Sequence, residues 1–273
     1  MNIPSSFRVY TLGPKNSFSD ILARKLYPNT KIYHLKTISD LIEEASKGEK
    51  VLVPCENSID GMVGETIRKI REIDNIYINR EICYPIDLCL GGLGKEEDVN
   101  VVHSHPKAIN QCLNYLNEKG IIYKEVSSTS EAAKKVKEYG KDSIGVICSK
   151  EALKEYGLNL LKEKIQDNLN NYTIFWELSN EEISPNYNKK IGTAMIVDLD
   201  NESGALYKFL KPFDDERINL YFINSWPEDG IYWCIYWFLI KTEADKDRPD
   251  PMKLKKECKK LRYLGSYNRI NLK

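Results

Sequence analysis

Between residues 7 and 178, short β-branched and apolar runs alternate with stretches of helical period, and this alternation most narrows the folds open to the chain. Strands alternating with amphipathic helices build an α/β domain around a largely parallel sheet. Residues 7–12 read as a strand, and Phe18, Ile21, Leu22 and Leu26 form the apolar face of a helix at i, i+3, i+4 and i+8. A strand over 31–35 follows. Then comes a helix capped by Thr37 or Ser39 and carrying Ile38, Leu41, Ile42 and Ala45. A third strand covers 50–54, and Val63, Ile67, Ile70 and Ile73 mark the next helix.

A long β region spans 76–90, and Gly91-Gly92-Leu93-Gly94 breaks the chain before a second set of elements. That set has strands over 99–103, 121–126 and 143–148, with helices over 107–119, 130–139 and 150–156. The expected arrangement is two lobes, one of about 1–90 and 166–178 and the other of about 91–165, with the strand over 172–178 returning to the first. The cleft between them is a place for a small molecule. A polar linker over 179–190 leads to a C-terminal domain over 191–273. There, strand 193–199, helix 205–213, strands 219–224 and 232–240, helix 252–263 and a last short strand over 264–267 predict a ferredoxin-like βαββαβ unit.

The chain's 273 residues carry 40 Lys and Arg against 40 Asp and Glu. Without a basic surplus, no nucleic-acid partner is expected. No apolar run approaches the ~20 residues of a bilayer span, so no membrane partner is expected either. Residues 1–8 lack a basic segment followed by an apolar stretch, which predicts a cytoplasmic protein. The seven cysteines are scattered without a Cys-x-x-Cys pair and read as reduced thiols.

Four polar clusters sit where a strand gives way to a helix, where free backbone N–H groups bind anions. They begin at Gly13, Pro54, His103 and Ser127. Together, at one end of their strands, they predict a cleft for a carboxylated ligand. His103 and His105, two apart on a strand, point to opposite faces and do not make a metal pair. Gly91-Gly92-Leu93-Gly94-Lys95 lacks the spacing and the Ser or Thr of a phosphate-binding loop, so no nucleotide cofactor follows from it.

In order and spacing the same clusters resemble the prephenate dehydratases. The family's Gly-Pro-x-Gly-Thr-Phe-Ser corresponds to Gly13-Pro14-Lys15-Asn16-Ser17-Phe18-Ser19, its Pro-x-Glu-Asn-Ser-x-x-Gly to the run from Pro54 to Gly61, and its Ser-His-Pro-x-Ala-x-x-Gln-Cys to the run from Ser104 to Cys112. The likeness continues through Ser128-Thr129-Ser130-Glu131 and Asn171-Tyr172-Thr173-Ile174-Phe175. Gly204-Ala205-Leu206-Tyr207 and Ile218-Asn219-Leu220 resemble the ACT regulatory module that follows the catalytic domain in this family. The resemblance implies a two-lobed, periplasmic-binding-protein-like (type 2) catalytic domain followed by a ferredoxin-like ACT domain. It implies conversion of prephenate to phenylpyruvate with loss of carbon dioxide and the ring hydroxyl, without cofactor or metal, in a homodimer or homotetramer joined through the ACT domain. It makes Thr173 the proton donor, Asn57, Ser104 and Gln111 substrate-binding groups, and Glu56, Ser58, Thr129 and Phe175 their neighbours.

Two departures bear on function. The family's Thr-Arg-Phe is Thr173-Ile174-Phe175 here. If that Arg touches substrate, a carboxylate partner worth about 1.5–3 kcal/mol is absent; if it is structural, Ile174 matters little. Lys107 and Lys15 are candidates to restore positive charge near the cleft. The family's Glu-Ser-Arg-Pro is Asn224-Ser225-Trp226-Pro227. Gly204, Ala205, Leu206, Asn224 and Ser225 are the implied amino-acid effector residues, and without the two charged groups phenylalanine is expected to bind weakly or not at all. A weakly catalytic sensor of aromatic metabolites, and a relative acting differently on prephenate or arogenate, are the competing readings.

Overall fold

The computed structural model describes residues 8–227, 236–243 and 251–272. The first lobe is built from β1 (Val9–Leu12), α1 (Phe18–Leu26), β2 (Ile32–Leu35), α2 (Ile38–Ser46), β3 (Lys50–Asn57), β4 (Gly61–Met62), α3 (Gly64–Glu72) and β5 (Tyr77–Pro85). Ser17 caps α1 by accepting from Asp20 N, and Thr37, rather than Ser39, caps α2 by accepting from Asp40 N. β1 lies parallel between β2 and β3.

The chain crosses to the second lobe at residues 86–88 and forms β6 (Cys89–Gly92), β7 (Val101–Ser104), α4 (Pro106–Asn110), α5 (Leu113–Lys119), β8 (Ile122–Glu125), α6 (Thr129–Tyr139), β9 (Ile144–Cys148), α7 (Lys150–Glu155) and β10 (Asn159–Lys162). Its sheet runs β10-β6-β9-β7-β8. β11 (Tyr172–Ser179) then returns to the first lobe, antiparallel to both β3 and β5. The two crossings are tied by Gln166, whose Oε1 accepts from Leu88 N at 3.0 Å and whose Nε2 donates to Asp87 Oδ1 at 3.0 Å. The two-lobed α/β arrangement expected from the sequence is therefore present.

Two local expectations fail here. Gly91 and Gly92 are not a break but lie within β6, where a Cβ on Gly91 would stand 2.1 Å from Leu153 Cδ2 of α7. The single helix expected over 107–119 is split, because Gln111 O accepts from Asp167 N at 2.7 Å and the Asp167 carboxylate receives Asn114 N at 3.2 Å. A tertiary acid thus supplies a second helix start in mid-pattern.

The C-terminal unit is β12 (Ile191–Asp198), α8 (Ala205–Asp215), β13 (Asn219–Pro227), β14 (Tyr236–Glu243), α9 (Pro251–Lys255) and β15 (Lys260–Asn271). Its antiparallel order β13-β14-β12-β15 is that of a ferredoxin-like sheet. The expected strand start over 232–235 lies outside the described residues. The helix expected over 252–263 stops at Lys255, and the last strand has 12 residues instead of the four expected. Leu261 and Tyr263, two apart, pack toward α8 and α9, a period of two that their spacing from Leu254 and Cys258 disguises as helical.

β15 continues past β12 to lie parallel beside β5, with Asn268 opposite Arg80 and Asn271 opposite Cys83. One ten-stranded sheet therefore runs from the C-terminal unit through the first lobe. One of its faces packs Trp176, Ile196, Trp237, Leu264 and Tyr267 with α2 and α3 in a common core. On the other face α1 covers Leu52, Ile82 and Phe175, and α8 and α9 cover Met195, Val197 and Ile240.

Candidate active site

A cleft of about 390 Å³ opens between the lobes, lined from the first by Phe18, Asn57, Asp60, Thr173 and Phe175 and from the second by His105, Lys107, Gln111, Ser128 and Thr129. Strand register builds its first wall. Thr173 of β11 lies directly opposite Asn57 of β3, so both side chains project from one face of the sheet. Phe175, two residues on, adds an apolar floor and is 2% exposed.

Asn57 is locked in orientation. Its Oδ1 accepts from Ile59 N at 2.9 Å and Asp60 N at 3.1 Å, which turns its NH₂ toward Thr173. That NH₂ donates to Thr173 Oγ1 at 3.1 Å, Tyr172 O at 3.0 Å and Asn171 Oδ1 at 3.1 Å. Since Thr173 Oγ1 accepts from Asn57, its own O–H is left to donate into the cleft. Asn171 in turn donates to Gln111 Oε1 at 2.9 Å, leaving the Gln111 NH₂ for a ligand. The chain Gln111–Asn171–Asn57–Thr173 thus joins the lobes across the cleft floor.

The second lobe offers the positive groups. Thr129 opens α6 and Ser128 caps it by accepting from Glu131 N, so the positive end of this helix faces the cleft. His105 caps α4, its Nδ1 accepting from Lys107 N at 3.2 Å. Burial, reinforced by Lys107, pushes the His105 imidazole below its usual pKa, so it is neutral at neutral pH. The Lys107 ammonium lies 3.2 Å from Asp60 of the opposite lobe.

Of the residues expected to form the site, Thr173, Asn57, Gln111, Thr129 and Phe175 meet in this cleft. Three others do not line it. Glu56, next to Asn57 on a strand, faces the opposite way and puts Oε2 3.4 Å from Lys241 Nζ. Ser58 donates to Asn170 O at 3.1 Å and accepts from Tyr172 N at 3.0 Å, which pins the start of β11. Ser104 is fully buried and donates to Ile147 O at 2.6 Å, tying β7 to β9. Ile174 also points away, into a separate hollow with Glu81 and Arg269, so an Arg at 174 is no partner for a ligand in the cleft.

Gly204, with φ of 83°, Ala205 and Leu206 form the start of α8, while Asn224 and Ser225 lie on the edge strand β13. Asp60 and Asn171 were not singled out from the sequence, and His105 only as a metal ligand that was set aside. Their signal was present but unused: all three fall within the motif runs that supply Asn57, Gln111 and Thr173.

The family model described as prephenate dehydratase matches residues 9–183. The prephenate dehydratase of Methanocaldococcus jannaschii is 32% identical over 266 residues, covering 95% of this chain and 97% of that one. The chloroplastic arogenate dehydratase/prephenate dehydratase 1 of Arabidopsis thaliana is also 32% identical, over 82% of this chain, which spans only 58% of that protein's length. Among solved structures, the Arthrobacter aurescens prephenate dehydratase in complex with L-Phe superposes with a TM-score of 0.83 at 25% identity, over 96% of this chain and 90% of that one. With its two-lobed α/β fold, this chain therefore belongs to the prephenate dehydratase family, enzymes of the lyase class that dehydrate prephenate on the way to phenylalanine.

Proposed function

We propose that the cleft converts prephenate to phenylpyruvate with Thr173 as proton donor. The supporting observation is the Asn57–Thr173 hydrogen bond, which occupies the hydroxyl oxygen and frees its proton. The C–O bond to the ring hydroxyl breaks as Thr173 protonates the leaving oxygen, and water departs. The electron pair of the breaking C–CO₂ bond enters the ring and carbon dioxide leaves. A solvent proton restores the Thr173 hydroxyl. A Thr hydroxyl is a weak acid, so its value lies in being a fixed donor aimed at developing negative charge. Lys107, the Gln111 NH₂ and the start of α6 at Thr129 are the groups for the two carboxylates, and Phe175 supports the ring.

The C-terminal βαββαβ unit is read as an ACT module. Among the described residues β13 is an edge strand, whose backbone groups are open to a second copy, which supports a homodimer or homotetramer. The Arthrobacter aurescens relative binds L-Phe; here the amino-acid effector site would involve Gly204, Ala205, Leu206, Asn224 and Ser225. A cytoplasmic location fits a biosynthetic enzyme of this family.

The test is incubation with prephenate at neutral to mildly alkaline pH, with products identified by mass and ultraviolet spectrum. Phenylpyruvate from the parent, with Thr173→Ala slower by at least about 10²-fold, is expected. Parental turnover in Thr173→Ala removes the proposed donor.

A further inference from the structure

Lys241 on β14 is 2% exposed, and its ammonium lies 3.4 Å from Glu56 Oε2 and 3.3 Å from Glu81 Oε2. A buried ammonium is unfavourable unless it is paired. Burial is the largest influence and lowers its pKa, but Glu81, Cys55, Tyr221 and Glu56 together outweigh it, and Lys241 stays charged. The rings of Phe222, Tyr221 and Trp176 surround it, with centroids 4.7, 5.3 and 5.7 Å from Nζ.

The two carboxylates depend on Lys241 to different degrees. Glu81 also receives Trp176 Nε1 at 3.1 Å and Arg269 Nε at 3.1 Å. Among the described residues, Lys241 is the one cation paired with Glu56. Glu56's cross-strand neighbour on β11 is Ile174, which supplies no charge. Glu56 is bonded to Asn57, the residue that orients the Thr173 hydroxyl. Without the ammonium, Glu56 would face Glu81 uncompensated and turn toward water, drawing the end of β3 with it.

We propose that Lys241 is a positioning residue for the dehydration: its ammonium holds Glu56, and through Asn57 it sets the Thr173 hydroxyl, so the C-terminal unit completes the active site. This rests on the reading of Thr173 given above. The groups assigned to the substrate carboxylates, Lys107 and Thr129, stand on the other lobe, so loss of Lys241 falls on kcat and spares KM.

Steady-state kinetics with prephenate on the full chain test this, with Thr173→Ala alongside. Lys241→Met is expected to lose at least about tenfold in kcat with KM within about threefold, and Lys241→Arg to stay near the parent. Ile174 lies opposite Glu56 on the same face, so Ile174→Arg in the Lys241→Met background is expected to recover at least half of the logarithmic loss. If Lys241→Met fails to fold, Glu56→Gln carries the same kcat expectation, with a melting temperature near the parental one, because Lys241 keeps Glu81. Unchanged kcat in Lys241→Met, or in Glu56→Gln where the Met variant does not fold, overturns the proposal. So does a loss confined to KM, or a loss that Ile174→Arg leaves untouched. An inactive Thr173→Ala beside an unimpaired Lys241→Met removes the positioning role alone, whereas an active Thr173→Ala removes the reading on which it rests.

Discussion

Lys107 of the second lobe and Asp60 of the first face each other across the cleft at 3.2 Å, both lining the space where a dicarboxylate would lie. His105 beside them is neutral at neutral pH, so the positive charge on this part of the wall comes from Lys107 and not from the imidazole. A substrate carboxylate and the Asp60 carboxylate therefore compete for one ammonium.

Lys107→Gln is expected to raise KM for prephenate about three- to tenfold, below the full worth of a charge-assisted bond because the side chain is well exposed. Asp60→Asn is expected to lower KM, since it removes the competitor. Equal KM in the parent and Lys107→Gln would show that the ammonium does not meet substrate.

Two histidines contribute to the acid limb of stability. His103 is 6% exposed and its Nδ1 has no partner among the described residues; burial, with Lys124 and Lys135 nearby, lowers its pKa, and burial with Lys107 does the same at His105. The folded state resists protonation that the unfolded chain accepts. Their contribution is thus complete above the ordinary value of about 6.5 and is lost as pH falls through the lower folded values. Between about pH 7.5 and 5.5 the parental thermal midpoint is expected to lose, relative to His103→Gln, the stability that His103 contributes. An identical pH slope in that variant would count against the assignment.

Gly91 shows what sequence reading missed. A Cβ there would stand 2.1 Å from Leu153 Cδ2, so Gly91→Ala forces the buried Leu153 side chain aside and is expected to cost about 1–3 kcal/mol. A urea or thermal melt reads this directly, and a variant as stable as the parent would mean that Leu153 gives way freely.

The glycine run looked like a lobe connection because close packing and chain reversal call for the same residue, and only the approach of α7 separates them. The alternation of strands and helices, by contrast, is local, and it placed β1 to β3 and the return of β11. Thr173 and Asn57 were legible because they lie in motif runs at strand ends. Glu56 lies in the same run, and period-two alternation already required it to face away from Asn57. Its ion partner was not legible, since Lys241 lies far along the chain and is brought near by the pairing of β15 with β5. Asn171 lies in the run that supplies Thr173, but its bond to Gln111 was not legible, since it crosses from one lobe to the other.

The C-terminal unit tests the effector reading. A zwitterionic amino acid needs a partner for its ammonium and another for its carboxylate, each charge-assisted bond contributing about 1.5–3 kcal/mol. Gly204-Ala205-Leu206 and Asn224-Ser225 carry no charge, and Asn224 Oδ1 already accepts from Ser225 N at 2.9 Å. Trp226 is stacked on Trp237 at 4.8 Å between centroids, so its ring is committed to the sheet. Two charge-assisted bonds absent together weaken a micromolar site by roughly a hundredfold or more. Calorimetric titration with phenylalanine is therefore expected to show no saturation below about a millimolar. A micromolar Kd would mean that charged groups outside these two segments hold the amino acid.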